Sequence, residues 1–264
     1  MSNYSTLLFD VRDNVGRITL NRPETGNVLN LQMAQELMEI ALRCDEDPNV
    51  RAVLLSGAGK SFCAGGDLKS FAAQGDANLP YHLKEVTIPF HVAVARLTHS
   101  KAPVVAAVHG AAAGGGFSLM CACDLVLAAE SAKFTVAYTK IGLTPDGSGS
   151  YFLPRIVGLK RALELTLTNR IFSAQEAAHW GIVTRVVPDA ELMSQAEALA
   201  VQLAAGPTLA FGAAKRLLHS GWTEPLEAQM DLESRTIADM GRTADAREGI
   251  ASFLAKRQPT YKGR

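Results

Sequence analysis

Hydrophobic and polar residues follow two different spacings in the first part of the chain. Alternation predicts two β-strands at 6–11 and 17–20, joined by a turn that contains Asp, Asn and Gly. Beyond Leu29, apolar residues recur every three or four positions, which is the spacing of one face of an α-helix. A short apolar run at 52–55 predicts a further strand. The chain therefore begins as an alternation of strands and helices.

The later part of the chain becomes mostly helical. A polar stretch at 74–80 interrupts the spacing, so the sequence predicts a long helix at about 81–98. Apolar runs at 103–110 and 182–187 predict strands, and after about Arg155 most segments have helical spacing. This order predicts an α/β core followed by a C-terminal helical section.

Composition and charge narrow the classes of protein. Hydrophobic residues make up 48% of the 264 positions, which is enough for a large folded core. Lysine plus arginine equals aspartate plus glutamate at 26 each, so the basic surplus of a nucleic-acid-binding protein is absent. The N-terminal residues lack the apolar run of a signal sequence, and no apolar stretch is long enough for a membrane span. We therefore expect a cytoplasmic protein without a nucleic-acid or membrane partner.

The spacing of the four cysteines does not predict a metal site. Cys44, Cys63, Cys121 and Cys123 contain no CxxC pair, and no histidine lies at metal-ligand spacing from them. Buried free thiols are the expected state, in keeping with a reducing compartment.

Two glycine-rich loops, at 56–68 and 111–116, each follow an apolar strand and lead towards a helix. Glycine lets a ligand approach the main chain closely, and the start of a helix presents unpaired N–H groups. Two such loops could hold a developing oxyanion together. Neither loop has the spacing of a nucleotide-binding motif. The alternative is that the glycines only permit tight turns and close packing.

Ordered motifs along nearly the whole chain resemble the crotonase superfamily, the enoyl-CoA hydratase/isomerase family. The matching segments are NRPETGNVLN at 21–30, KSFCAGGDL at 60–68, the stretch from PVVAAVHG to ESAKF at 103–134, IGLTPDGSGSYFLPRIVG at 141–158, AKRLL at 214–218 and FLAKRQP at 253–259. The resemblance implies an α/β crotonase (ClpP-like) spiral of ββα units. It also implies a core with the acyl-CoA site at 1–200, and C-terminal helices at 201–264 that assemble homotrimers or homohexamers.

The resemblance also implies which residues meet an acyl-CoA substrate. The main-chain N–H groups of Gly66 and Gly115 would hold the thioester oxygen. The backbone from Ala64 to Leu68 would line the path of the CoA, and two cations would meet its phosphates. These expected CoA-binding residues are Ala64, Gly65, Asp67, Leu68, Arg22 and Lys256. The alternative for Lys256 is a solvated lysine at a helix end. No cofactor and no metal are expected, since CoA is part of the substrate.

The acid–base positions depart from the pattern of hydratases. Hydratases of this family hold one water with two glutamates, and the matching positions here are Ser118 and Tyr138. Hydration needs an acid and a base on the same water, and an unperturbed tyrosine has a pKa near ~10. Asp146 matches a position where isomerases and chlorobenzoyl-CoA dehalogenases of the family carry a catalytic aspartate. The alternative for Asp146 is a helix N-cap.

The dehalogenases add a second comparison. They carry a histidine at the position of His91 and a tryptophan at the position of Tyr138, so two of their three residues match when Asp146 is included. The alternative for His91 is a packed or solvated helix residue, and Tyr138 could serve only to hydrogen-bond Asp146.

The sequence therefore predicts an enzyme that stabilises the enolate of an acyl-CoA thioester and isomerises a double bond with Asp146. Residues 68–90 are expected to shape the acyl pocket. Three alternatives stay open: a weak enoyl-CoA hydratase, an aryl-CoA dehalogenase-like or thioester enzyme, and an acyl-CoA-binding protein without catalysis.

Overall fold

Two β-sheets and the helices around them make up the part of the chain that the computed structural model describes, residues 4–264. Residues 1–3 lie outside the described residues; they belong to the N-terminal segment that was expected to lack a signal sequence. The strands are β1 (Leu7–Arg12), β2 (Val15–Leu20), β3 (Ala52–Gly57), β4 (Val104–Val108), β5 (Ala111–Ala113), β6 (Leu125–Ala129), β7 (Lys133–Thr135), β8 (Phe172–Ser173) and β9 (Arg185–Val187). The helices are α1 (Leu31–Glu46), α2 (Leu68–Ala72), α3 (Gly75–His99), α4 (Gly115–Cys121), α5 (Gly149–Val157), α6 (Leu159–Thr168), α7 (Ala174–His179), α8 (Leu192–Ala204), α9 (Thr208–Ser220), α10 (Leu226–Gly241) and α11 (Ala244–Leu254).

The larger sheet has the order β1-β2-β3-β4-β6-β9, and only the β1–β2 pair is antiparallel. All five residues of β4 are buried, as is typical of a parallel strand that is covered on both faces. Helix α8 packs against β3 and β4, and α1 packs against α3. The ends of β3 and β4 lead directly into the two glycine loops.

The smaller sheet has the order β5-β7-β8 and supports the second glycine loop. Its core is aromatic: the rings of Phe134 and Phe172 stack with centroids 5.6 Å apart, and Phe117 meets Phe172 edge-on at 5.8 Å. Strand β5 leads into Gly114, and β7 leads towards Ala137. The sheet therefore positions two chain segments that border the candidate site described below.

Several predicted boundaries differ from the structure. Helix α1 begins at Leu31 rather than Leu29, because the side chain of Asn30 caps it by accepting a hydrogen bond from the Met33 N–H at 2.9 Å. The polar stretch 74–80 does not interrupt a helix, because α3 already begins at Gly75. Those polar residues are mostly exposed, and the buried residues of α3 begin at His82. The strand predicted at 182–187 is confined to its last three residues.

The C-terminal helices expose many large apolar side chains. Those exposed beyond half of their surface from α9 onwards are Leu218, Trp222, Leu226, Met230, Ile237, Ile250, Phe253 and Leu254. Helix α9 is tied to the core by an ion pair of 2.7 Å between Lys215 and Asp124, and both side chains are largely buried. Within residues 4–264, none of the helices combines the length and apolar character needed to cross a membrane.

Candidate active site

The two glycine loops lie side by side. The Cys63 N–H donates to the Ala111 carbonyl at 3.1 Å, and the Ala113 N–H donates to the Cys63 carbonyl at 3.0 Å. Beyond these bonds, a Cβ added to Gly114 would lie 3.6 Å from Cα of Gly65. Gly65 and Gly114 both have positive φ, at +114° and +50°, which favours glycine. The backbone therefore brings the two loops into contact.

Each loop presents one main-chain N–H without a protein acceptor. In the part of the chain that the structure describes, neither the Gly66 N–H nor the Gly115 N–H donates to another main-chain or side-chain atom. Gly115 is the first residue of α4, whose first N–H groups have no partner within the helix. Gly66 and Gly115 both line the same cavity. These amides are therefore free to donate to a bound oxygen atom.

The cavity has a volume of about 460 Å³ and a mostly apolar lining. Residues 68–90, which were expected to shape the acyl pocket, contribute six of its lining side chains: Leu68, Phe71, Leu83, Val86, Thr87 and Phe90. Asp146 is the one carboxylate among the lining residues that the structure describes, and Lys140 is the one lysine. An apolar cavity with a single carboxylate and two free amides is suited to removing a proton next to a carbonyl.

Asp146 belongs to a chain of three hydrogen-bonded side chains. The Tyr138 hydroxyl donates to Oδ1 of Asp146, and it lies 3.0 Å from the Ser118 hydroxyl. The two positions expected from the resemblance to hold the hydratase glutamates are therefore adjacent here, and they hold two hydroxyl groups. Asp146 is not a helix N-cap, because α5 begins at Gly149 and Ser148 occupies the N-cap position without a side-chain capping bond.

Burial changes the pKa values of Asp146 and Tyr138. Burial raises the pKa of Asp146 above its ordinary value, although the hydrogen bond from Tyr138 opposes this rise. Burial and the negative charge of Asp146 also raise the pKa of Tyr138. Tyr138 thus stays a neutral donor, while Asp146 holds a proton more readily than an exposed aspartate does.

His91 lies next to this group but is not among the residues that line the cavity. Its Nε2 atom accepts a hydrogen bond of 3.0 Å from the Gly147 N–H. The structure thus brings the three positions of the dehalogenase pattern, of which His91 and Asp146 match and Tyr138 does not, together around the Asp146–Gly147 peptide. His91 contacts the backbone of that peptide rather than the space where a substrate would lie.

The residues expected to bind CoA separate into two groups. Ala64, Gly65 and Leu68 line the cavity. Arg22 and Asp67 instead bind each other at 2.9 Å, and Arg22 also donates to the Val28 carbonyl at 2.7 Å.

The Arg22–Asp67 pair holds the first glycine loop in place. The second carboxylate oxygen of Asp67 accepts from the Ser70 N–H at 3.1 Å and so caps α2. Burial alone would raise the pKa of Asp67, but the bonds from Ser70 and Arg22 outweigh it and the pKa is lowered. Lys256 is exposed after the end of α11 and does not line this cavity in its own chain.

Sequence reasoning missed part of the cavity wall. Leu29 joins Gly66 in a β-bridge and reaches the cavity, although its spacing suggested the first turn of a helix. The segment 137–144 also contributes to the lining, including Lys140. The only sequence signal for the contribution of this segment to the cavity wall is its position just before Asp146, in the same motif.

Comparison with known proteins agrees with the geometry. The sequence profile of the enoyl-CoA hydratase/isomerase family matches residues 10–264. Over 258 residues, 98% of both chains, the sequence is 40% identical to 1,2-epoxyphenylacetyl-CoA isomerase of Escherichia coli strain K12. It is 36% identical to 4-chlorobenzoyl coenzyme A dehalogenase-2 of Arthrobacter sp., over 92% of this chain and 88% of the other. The crystal structure of an enoyl-CoA hydratase from Polaromonas sp. JS666 superposes with a TM-score of 0.92 at 33% identity, covering 97% of this chain and 99% of that one.

The chain therefore belongs to the enoyl-CoA hydratase/isomerase family and has the crotonase fold. The predicted family and fold class are confirmed.

Proposed function

We propose that the protein is an enoyl-CoA isomerase that moves a carbon–carbon double bond in a CoA thioester. The observation that carries the proposal is the single carboxylate, Asp146, in a cavity that also holds the unpaired N–H groups of Gly66 and Gly115. Isomerisation needs one group that removes a proton and returns it elsewhere, whereas hydration needs an acid and a base on one water.

In the proposed reaction the thioester oxygen accepts hydrogen bonds from Gly66 and Gly115. Asp146 removes a proton from C2 of a 3-enoyl-CoA, and the electron pair of that C–H bond spreads over the dienolate to the thioester oxygen. The two amides stabilise the negative charge that develops there. Asp146 then returns the same proton to C4, which leaves the conjugated 2-enoyl-CoA and the starting form of the enzyme. We expect no cofactor, because every proton and electron is accounted for.

Tyr138 assists Asp146 in this scheme. Its hydroxyl donates to Oδ1, which leaves the other carboxylate oxygen to act as the base. The bond also favours the ionised carboxylate and so opposes the effect of burial on the pKa of Asp146.

The observations favour the two other reactions less. For hydration, Ser118 and Tyr138 offer hydroxyl groups that bind each other at 3.0 Å, and neither is a base near neutral pH. For a dehalogenase-like reaction, a base must activate the water that hydrolyses the aspartyl ester. Nε2 of His91 is already used by the Gly147 N–H.

We also propose that residues 201–264 assemble homotrimers or homohexamers, and that Lys256 meets CoA phosphates from a neighbouring subunit. The exposed apolar side chains of α10 and α11 and the exposed position of Lys256 support this. We propose a cytoplasmic location because all four cysteines carry free thiols. The Arg22 side chain is less suited to phosphate, since it is occupied by Asp67 and the Val28 carbonyl.

The test is isomerisation of a panel of 3-enoyl-CoA thioesters, followed by the absorbance of the conjugated product. We expect turnover by the wild type and a loss of about 10²–10⁴-fold in kcat for Asp146→Asn. Asp231→Asn, an exposed residue of α10 paired with Arg235, is the matched control and should keep the wild-type rate. Equal rates for wild type and Asp146→Asn would remove Asp146 from the mechanism. Hydration of 2-enoyl-CoA faster than isomerisation would identify a hydratase, and halide release from halobenzoyl-CoA a dehalogenase-like enzyme. Binding of CoA thioesters without turnover would identify an acyl-CoA-binding protein.

A further inference from the structure

One hydrogen bond joins α3 to the residue after the proposed base. The Gly147 N–H donates to Nε2 of His91 at 3.0 Å, across 56 positions of sequence. Gly147 is buried and shares a peptide bond with Asp146. The orientation of that peptide determines where the Asp146 side chain leaves the backbone, so His91 contacts the support of the carboxylate rather than the carboxylate itself.

The backbone at this point requires external support. Gly147 and Ser148 have consecutive positive φ angles of +55° and +71°, and a serine rarely adopts this region. A Cβ on Gly147 would lie 2.3 Å from Cε1 of Phe90, so α3 closes against the peptide on one side. A buried N–H that loses its acceptor is costly, and strained segments keep their shape only where the surroundings fix them.

The direction of the His91 ring limits what it can do. A neutral imidazole accepts a hydrogen bond at one nitrogen only, so the bond at Nε2 implies that the proton is on Nδ1. The His91 side chain lines a different cavity, of about 310 Å³, together with Ser148, Tyr151 and His99. Its accepting nitrogen is therefore directed at the main chain and is not available to a substrate or to a water on the substrate.

We propose that His91 is a positioning residue, which holds the Asp146 carboxylate in its reactive orientation by accepting the Gly147 N–H. The proposal rests on the proposed function, since it assigns the residue that supports the base. His91 exchanges no proton with the substrate. Misplacement of a catalytic group by about 1 Å can cost about 10²-fold in rate, so a single backbone contact is enough to matter.

Two substitutions separate positioning from proton transfer. His91→Phe keeps a ring but removes the acceptor, and we expect kcat to fall about 10- to 100-fold with KM changed less than about threefold. His91→Gln places an amide oxygen near the position of Nε2 but cannot act as a base, and we expect it to recover most of the rate. His99→Phe is the control on the same helix, because His99 lines the second cavity without bonding the Asp146 loop. Wild-type kcat in His91→Phe, or equal losses in His91→Phe and His91→Gln, would overturn the proposal.

A measurement that needs no turnover covers the case in which His91→Phe fails to fold. Two-bond ¹H–¹⁵N correlation spectra of wild-type protein labelled with ¹⁵N-histidine report the tautomer of each imidazole ring. The signals that are missing in His91→Gln are assigned to His91. We expect the Nδ1–H form at His91, and an Nε2–H form would refute the hydrogen bond. Asp146→Asn tests the proposed reaction separately. A low rate in Asp146→Asn together with full activity in His91→Phe would reject only the role of His91.

Discussion

Tyr138 donates its hydroxyl hydrogen bond to Oδ1 of Asp146, across eight positions of sequence. By the family resemblance, the position of Tyr138 is one where hydratases are expected to carry a glutamate. In this chain it holds a hydroxyl that donates to Asp146. Ser118, at the expected position of the other glutamate, lies 3.0 Å from the same hydroxyl. The three side chains therefore form one polar group that contains a single carboxylate.

The first prediction concerns Tyr138→Phe. The tyrosine bond favours the charged carboxylate, so its removal raises the pKa of Asp146 further than burial already does. Asp146 must be ionised to remove a proton, and the acid limb of the kcat profile should therefore move to higher pH. The measurement is kcat for 3-enoyl-CoA isomerisation from about pH 5 to about pH 9.

The control for this prediction is Tyr81→Phe, the same chemical change at an exposed position on α3 outside the cavity lining. It should leave the profile in place. If Tyr138→Phe has the wild-type acid limb, the hydrogen bond does not govern the ionisation of Asp146.

The second prediction concerns the stability of Asp146→Asn. The folded-state pKa of Asp146 is raised, so the folded protein holds this proton more tightly than the unfolded chain does. The stabilisation from that proton is present at low pH and is lost as the pH rises through the folded pKa. Ionised Asp146 therefore destabilises the fold near neutral pH, and Asp146→Asn should raise Tm at about pH 8. The gain should shrink at about pH 4, where the wild-type carboxyl is protonated more fully. A lower Tm for the variant at about pH 8 would contradict this interpretation.

Local motifs predicted the positions of the two glycine loops and of Asp146, because spacing within one loop is a property of neighbouring residues. The contacts that give these positions their chemistry are not local. Whether Asp146 would be a helix cap or a cavity residue depended on Ser148, which takes the N-cap position of α5 instead.

Long-range packing also explains the boundaries that were wrong. The polar start of α3 is exposed and continues a helix whose buried residues begin only at His82. Leu29 leaves the helical pattern because its backbone pairs with Gly66. The bond between His91 and Gly147 joins residues 56 positions apart, and no spacing in the sequence indicates it.

The third prediction concerns acid stability through Glu36, a buried carboxylate of α1. It accepts hydrogen bonds from the N–H groups and hydroxyls of Ser5 and Thr6 at 2.5–2.9 Å. Burial alone would raise the pKa of Glu36, but these bonds and one from Gln32 outweigh it and lower the pKa from 4.5 to about 2. The ionised form should contribute about 3 kcal/mol to the free energy of unfolding at neutral pH.

The sign follows from the lowered pKa. The stabilisation is complete above the ordinary value and is lost as the pH falls through the folded value of about 2. Urea unfolding should therefore find Glu36→Gln less stable than wild type at about pH 7, with a smaller difference at about pH 3. Glu39→Gln, an exposed position on the same helix, should stay within about 0.5 kcal/mol of wild type. A constant difference across this range would mean that Glu36 acts through packing rather than through its charge.

The fourth prediction concerns the ion pair that joins α9 to the core. Lys215 Nζ lies 2.7 Å from Asp124 and also donates to the carbonyls of Leu97 and Ala102 at 3.2 Å. Burial raises the pKa of Asp124, and the charge of Lys215 opposes that rise. Removal of one partner leaves the other charge buried without compensation, so Lys215→Met should lower the free energy of unfolding by about 3–5 kcal/mol.

Asp124→Asn in the Lys215→Met background removes the remaining charge. The amide oxygen can still accept from the Val104 N–H, which donates to Asp124 at 2.7 Å in the wild type. We therefore expect the second substitution to restore about 1–3 kcal/mol in a double-mutant cycle followed by urea unfolding. Arg216→Met, a neighbouring cation on α9 outside this pair, is the matched control. If the double variant is as unstable as the sum of the two single variants, the two charges do not interact.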